Sequence, residues 1–297
     1  MIKDRNGVVL DPNSKESSSL RFLYNTLVGR FILNILIRPW ASKLMGVYMN
    51  SRLSRLRIKK FIRKNNINMD EYEDRNFKSF NDFFTRKIKD GKRKIDMNPF
   101  SFISPCDSKL SIYKIDDSSI YKIKDNYYKI DDLVDNQLDL SSFKDGYCLV
   151  FRLGVDDYHR YGYIDDGIKS ENVFVKGEYH TVQPICLEHY NFFYRNAREY
   201  TVLSTNNFGK VLHVEIGALF VGRIKNKDGV GMIRRGEEKG MFEFGGSTVV
   251  VLLKQNVVDL DEDLLENTKN GFETIVKMGE RIGYRKVNDQ SLKYFTV

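Results

Sequence analysis

Between Met241-Phe242-Glu243-Phe244 and the apolar run Val249-Val250-Val251-Leu252-Leu253 stand Gly245-Gly246-Ser247-Thr248. The apolar run is short and rich in β-branched residues, so it reads as a strand buried on both faces. The glycines before it mark a tight bend. Any fold for this chain must therefore bury that strand inside a sheet. A Gly–Ser bond held in such a bend is also a place where a protein can attack its own backbone. The Ser247 hydroxyl would attack the Gly246 carbonyl, and the ester formed can eliminate to leave a pyruvoyl group on a new N-terminus. The same letters also suit an ordinary glycine turn entering a strand.

The rest of the body follows the strand pattern. Short segments rich in Tyr, Val and Ile, punctuated by Gly, Asn and Asp, predict strands at 109–115, 120–123, 127–130, 147–153, 172–175, 200–204 and 210–214. Further strands are expected at 217–225, 241–244, 249–254 and 281–286. No βα alternation and no dinucleotide-type glycine run interrupts them. The chain of 297 residues is 41% hydrophobic with five prolines, which suits a packed core without long linkers. Cys106, Cys148 and Cys186 are odd in number and widely spaced, so neither a disulfide framework nor a zinc site is indicated. The first 19 residues are polar and lack the apolar region of a signal peptide.

The charge is uneven. The net charge is +8, yet residues 17–69 carry eleven Lys and Arg and no acidic residue, which leaves the remainder slightly acidic. Within that stretch 20–37 reads as one amphipathic helix, with Arg21, Asn25, Arg30 and Asn34 on one side. Arg30 and Asn34 argue against spanning a bilayer, whereas an apolar face beside arginines suits a helix lying in the interface. Pro39 should end it near Arg38, and Trp40 suits the headgroup region. A second, more basic helix is expected from 41 to 64. A membrane surface is favoured over the two other uses of such an arm, packing on the body and binding nucleic acid. The predicted architecture is α+β: a basic membrane-associating helical arm over 1–75, then a mostly antiparallel β body over 76–297. At 79, Ser79 is placed to cap a short helix with Asp82 in its first turn.

Serine needs a base, and that base needs an orienting group. The histidines are His159, His180, His189 and His213. His159 follows the strand 147–153, and Asp107 lies in a turn beside another strand. Either residue is equally at home in a purely structural role. The segment 276–283, VKMGERIG, looks like the strand-turn of lipoyl-type β domains. Lys277 lacks the flanking residues of a carrier lysine, so only the strand geometry is taken as shared.

Taken together, the chain resembles the bacterial, pyruvoyl-dependent phosphatidylserine decarboxylases, in the branch with a Gly-Gly-Ser-Thr cleavage site. The stretches that carry the resemblance run in the family's order. They are SFNDFFTRKIKDGKRKID from Ser79, SPCDSKL from Ser104, FRLGVDDYHRYGYIDDG from Phe151 and GEYHTVQP from Gly177. NAREYTVLSTNNFGKVLHVEIGALFVGRI from Asn196, RGEEKGMFEFGGSTVVVLL from Arg235 and VKMGERIGY from Val276 complete them. The resemblance implies cleavage between Gly246 and Ser247 into a large chain, 1–246, and a small one, 247–297. Ser247 would become the covalent pyruvoyl cofactor, and Asp107, His159 and Ser247 the self-processing triad. That group would form a Schiff base with phosphatidylserine, release CO2 and yield phosphatidylethanolamine. His180 and Arg198 are candidates for gripping the substrate, and helix 20–37 for walling its acyl chains. No metal is expected. The enzyme would sit peripherally on the cytoplasmic face of the cell membrane, in the manner of a dimer-forming family, and would not bind nucleic acid.

Two departures stand out. Gly245 replaces the Leu of the family's usual Leu-Gly-Ser. Gly162 stands where many members carry a second His three residues after the first, so the role of that second His cannot be transferred. Two other readings of the residues stay open: a serine hydrolase or acyltransferase using Ser247 on an external ester, and an inactive membrane-binding scaffold.

Overall fold

A computed structural model describes residues 1–10, 18–116, 120–123, 126–187, 192–219, 223–227 and 229–286. His189 and the middle of the expected strand 217–225 lie outside them. Helices come early and sheet dominates thereafter, as the α+β pattern requires.

Among the described residues the central sheet has eleven strands. Six of them position the site: β1 (Ser108–Lys114), β2 (Tyr147–Leu153), β3 (Arg198–Thr205), β4 (Gly209–Gly217), β5 (Ser247–Leu253) and β6 (Glu273–Val276). Their order is β3-β4-β5-β2-β1-β6, and each neighbouring pair is antiparallel. The strand that follows Gly245-Gly246 is thus an inner strand of this sheet. Every residue of β5 is buried, and each fully buried Val or Leu there contributes roughly 1.5–3 kcal/mol. The N-terminus adds to the same sheet, since Ile2–Lys3 pairs in parallel with Glu273 and Thr274. Smaller three-stranded sheets flank it, one formed by Ile224–Asn226, Glu238–Phe242 and Arg160–Gly162. The expected strand 217–225 is therefore not continuous: Gly217 closes β4 and a new strand opens at Ile224.

The N-terminal helices differ from the sequence reading in one instructive way. Residues 20–37 do not make one helix. Ser18–Asn25 (α1) stops, and Leu27–Leu36 (α2) restarts with Thr26 as its N-cap, whose hydroxyl accepts from Gly29 N at 2.9 Å. A capping hydroxyl competes with helix continuation, and hydrophobic periodicity does not register it. Pro39 opens the next helix, Pro39–Asn50 (α3), where its missing N–H costs nothing. The basic stretch beyond it is a 3-10 segment, Arg52–Arg57, followed by Ile58–Lys64 (α4), rather than one helix from 41. Phe80–Phe84 (α5) is capped by Ser79, which accepts from Asp82 N at 3.1 Å.

The arm is also part of the core. Tyr24 and Leu33 are fully buried in the main hydrophobic cluster, and Tyr179 N donates to Ile37 O at 3.0 Å. Among the described residues no helix is long and apolar enough to cross a membrane.

Candidate active site

The bend before β5 is built as the glycines suggest. Gly245 has φ +141°, a conformation that favours glycine. A Cβ on Gly246 would stand 3.1 Å from the Val182 side chain. Ser247 then enters the sheet between Leu153 of β2 and Gly217 of β4. Its side chain is fully buried, and its hydroxyl has no hydrogen-bond partner among the described residues. A buried hydroxyl left unpaired costs on the order of 1–3 kcal/mol, and Thr248 Oγ1 beside it is likewise buried without a partner among the described residues.

His159 reaches the same end of the sheet by a loop. The chain leaves β2 at Leu153, the partner of Ser247, and turns through Gly154, whose N–H donates to Asp157 Oδ2 at 2.7 Å. Lys109 Nζ clamps that carboxylate at 2.6 Å. The His159 Nδ1–H then donates to Asp157 O at 2.9 Å, and its carbonyl receives Phe242 N at 2.9 Å. Its ring lies 4.0 Å from that of Phe84, which packs in turn on Phe244, three residues before Ser247. With Nδ1 bonded to the loop, Nε2 is the acceptor nitrogen, and it has no partner among the described residues. Burial, helped by the positive charge of Arg86, holds the imidazole's pKa down to about 3. His159 is therefore a neutral base at physiological pH.

Asp107 is buried nearby but does not hydrogen-bond to His159. Arg93 grips it through Nε and Nη2, at 2.9 and 2.6 Å, and Met278 N donates to it at 2.9 Å. Burial pushes its pKa up, and Arg93 and Lys277 outweigh that and hold the carboxyl below its usual range. The orienting contact on His159 is the Asp157 carbonyl. Asp157 and Lys109 were not singled out in the sequence, although the doublet Asp156-Asp157 beside the histidine was a signal that could have found them. Gly162, where a second His is absent, is a tight position. A Cβ there would meet Glu237 O and the Met278 methyl, both at 3.0 Å.

Of the two substrate-binding candidates, His180 lies near the site and Arg198 serves the frame. Asn196 Nδ2 bridges His180 O and Gly217 O, at 2.8 and 2.7 Å, and Gly217 is the strand partner of Ser247. The His180 ring sits between Tyr24 OH and Glu178. Arg198 instead donates to the carbonyls of Leu133, Tyr194, Asn196 and Asp132. These bonds commit it to holding backbone. One residue absent from the sequence reading stands out beside His159: Arg86 is fully buried, and its Nε and Nη2 have no partner among the described residues.

Known proteins resemble this chain over most of its length. The family model described as phosphatidylserine decarboxylase matches residues 80–284. The chain belongs to the phosphatidylserine decarboxylase family. It is 46% identical over 269 residues to phosphatidylserine decarboxylase proenzyme 2 of Clostridium acetobutylicum, covering 90% of this chain and 92% of the relative. The phosphatidylserine decarboxylase proenzyme of Clostridium kluyveri is 41% identical over 272 residues, with 90% and 92% covered. That of Clostridium perfringens is 38% identical over 297 residues, with 95% and 99% covered.

Proposed function

We propose that the orphaned pair, Ser247 Oγ and His159 Nε2, makes and then works the electron sink of this enzyme. As a family member the protein is a carboxy-lyase that converts phosphatidylserine to phosphatidylethanolamine and CO2. In the processing step Ser247 Oγ attacks the Gly246 carbonyl while His159 Nε2 takes the hydroxyl proton. The C–N bond between Gly246 and Ser247 breaks as the ester forms, and the amine keeps the nitrogen. Loss of the Ser247 α-proton then breaks its Cβ–O bond and frees the Gly246 carboxylate. Water replaces the nitrogen, which leaves as ammonia, and a pyruvoyl group heads the small chain 247–297.

The buried unpaired hydroxyl and the glycine bend fit that product. When present, the pyruvoyl group supplies a carbonyl that accepts the electron pair left behind as CO2 departs. The chain's own residues do the rest. Phe84 and Phe244 keep water from the reacting atoms. Asp157, clamped by Lys109, fixes the ring of His159, whose Nε2 exchanges the proton at the substrate α-carbon. Asp107 acts at one remove: it ties the Lys277–Met278 turn of the small chain to Arg93 of the large one. We assign that turn a lipoyl-like strand geometry.

The helical arm is the proposed membrane face. Leu27, Val28, Phe31, Trp40, Leu44, Val47, Leu53 and Leu56 are all exposed there, beside Arg52, Arg55, Lys59 and Lys60. An apolar groove of about 590 Å³, lined by Met49, Leu53, Leu56, Phe61 and Phe80 and rimmed by Arg57, Lys60 and Lys64, ends at Phe244. We assign the acyl chains to this groove rather than to a wall made by 20–37. The cytoplasmic face of the membrane is the expected location.

The observation that carries the reading is the unpaired, buried Ser247 hydroxyl at the mouth of β5. The decisive assay is release of labelled CO2 from carboxyl-labelled phosphatidylserine. Wild type should release it and Ser247→Ala should not; equal release by both would sink the proposal. Leu53→Glu with Leu56→Glu should weaken sedimentation with anionic vesicles while the chain still folds. That pair of changes is cleaner than deleting 20–64, which would empty Tyr24 and Leu33 out of the core.

A further inference from the structure

The cations around the site fall into two kinds. Arg93 faces Asp107 at 2.6 Å, Arg160 faces Glu238 at 2.8 Å and Arg235 faces Asp165 at 2.9 Å. Arg86 faces no carboxylate among the described residues. It is fully buried, yet its side-chain hydrogen bond to Phe83 O is a long one, from Nη1 at 3.4 Å. Its guanidinium lies 4.1 Å from the Tyr72 ring centroid and 4.8 Å from that of Phe83. Those rings offset part of the cost of taking a cation out of water. They leave the N–H groups of Nε and Nη2 without acceptors. A buried charge without a partner is among the most expensive features a fold can carry, and such features persist where a ligand completes them.

Arg86 is also held in register with His159. Arg160, the next residue after His159, donates to Thr85 O at 3.0 and 2.8 Å, and so pins the backbone beside Arg86. Tyr72, which covers Arg86, lies 6.2 Å, ring to ring, from Tyr158. Phe244, three residues before Ser247, packs on Phe80 and Phe84, and Phe84 packs on the His159 ring.

We propose that Arg86 receives an anionic oxygen of the phosphoserine headgroup beside His159, through its Nε and Nη2 donors. This rests on the decarboxylase reading above. The headgroup carries two anions that a guanidinium fork can hold, a carboxylate and a phosphate, and simple probes separate them.

The test uses processed wild type, Arg86→Met and Arg86→Lys. Melting midpoints are measured without ligand, with O-phospho-L-serine and with phosphoethanolamine, alongside kcat/KM on short-chain phosphatidylserine. Removing an unpaired buried cation should raise the ligand-free midpoint of Arg86→Met. The same variant should lose the ligand-induced rise, and its kcat/KM should fall roughly 10- to 100-fold, the scale of a lost charged hydrogen bond. A rise in wild type with both probes assigns the phosphate, and a rise with O-phospho-L-serine alone assigns the carboxylate. An Arg86→Met protein that melts lower than wild type and keeps its ligand response and kcat/KM would make Arg86 a structural post and overturn the proposal. Should that variant not fold, Arg86→Lys decides: a higher KM at near-wild-type kcat is expected, and an unchanged KM overturns the proposal. The melting data do not depend on CO2 release, so a failure of the decarboxylase reading remains distinguishable.

Discussion

His159 and His213 are both fully buried, and each leaves Nε2 without a partner among the described residues. Their surroundings separate them. His213 puts Nδ1 on the Glu215 carboxylate at 2.6 Å, and that carboxylate also receives Lys239 Nζ at 2.7 Å and Asn226 Nδ2 at 2.8 Å. Burial pushes the Glu215 pKa up, but Lys239 and then His213 pull it down to about 2, while burial keeps His213 below its usual value against the pull of Glu215. The ionised pair is thus Glu215 with Lys239, and His213 donates as a neutral ring. It pairs with Val251, four residues down β5 from Ser247, or roughly 13 Å along a strand. His159 sits on a loop beside the strand's first residue and is oriented by a carbonyl. An unpaired nitrogen alone does not mark a catalytic histidine. The proposed role falls to His159 for its place along the strand and for the carbonyl that holds the other side of its ring. His213 is accordingly no substitute for the second His that Gly162 replaces.

The sharpest way to break this contrast is to truncate each ring. His159→Ala should slow precursor cleavage by about 10²–10⁴-fold, the usual contribution of a positioned base, while His213→Ala should cleave within a few-fold of wild type. A time course of small-chain formation by mass spectrometry reads both, and the reverse ranking would exchange their roles. Next in size is Lys239→Met, which leaves Glu215 buried without its cation; unfolding in denaturant should show a loss of about 3–5 kcal/mol. His213→Ala should cost less, about 1–3 kcal/mol, because Lys239 and Asn226 remain on the carboxylate.

The smallest effect is a slope with pH. The His159 pKa falls from 6.5 unfolded to about 3 folded, so between those values the unfolded chain binds the extra proton. Stability should therefore fall as pH drops through that window, by about 1.4 kcal/mol per pH unit from this group. His159→Phe should flatten that part of the curve, and an unchanged slope would show that the ring is not held neutral.

Much of this was legible in the sequence because local chemistry and tertiary demand agree. The strand 147–153 appears with the predicted bounds, β5 is the buried strand that its five apolar residues required, and Ser79 caps its helix. The single helix 20–37 failed at Thr26, where a side-chain cap overrides periodicity. Arg198 is a plausible headgroup cation from the sequence, yet in the fold it donates to carbonyls, two of them nearby at Tyr194 and Asn196 and two brought from Asp132 and Leu133. The Asp156-Asp157 doublet hints at the clamp on His159, whereas Arg86 is not legible locally, because nothing in the sequence distinguishes a paired cation from an unpaired one. Only the fold shows which residues lack partners.

The central claim is that the unpaired Ser247 hydroxyl cuts the bond before it. The direct measurement is the intact mass of the denatured protein beside Ser247→Ala. Wild type should give two chains divided between Gly246 and Ser247, the small one blocked at its N-terminus, and Ser247→Ala one whole chain. A wild-type preparation that releases CO2 from phosphatidylserine while remaining a single uncut chain would contradict the account.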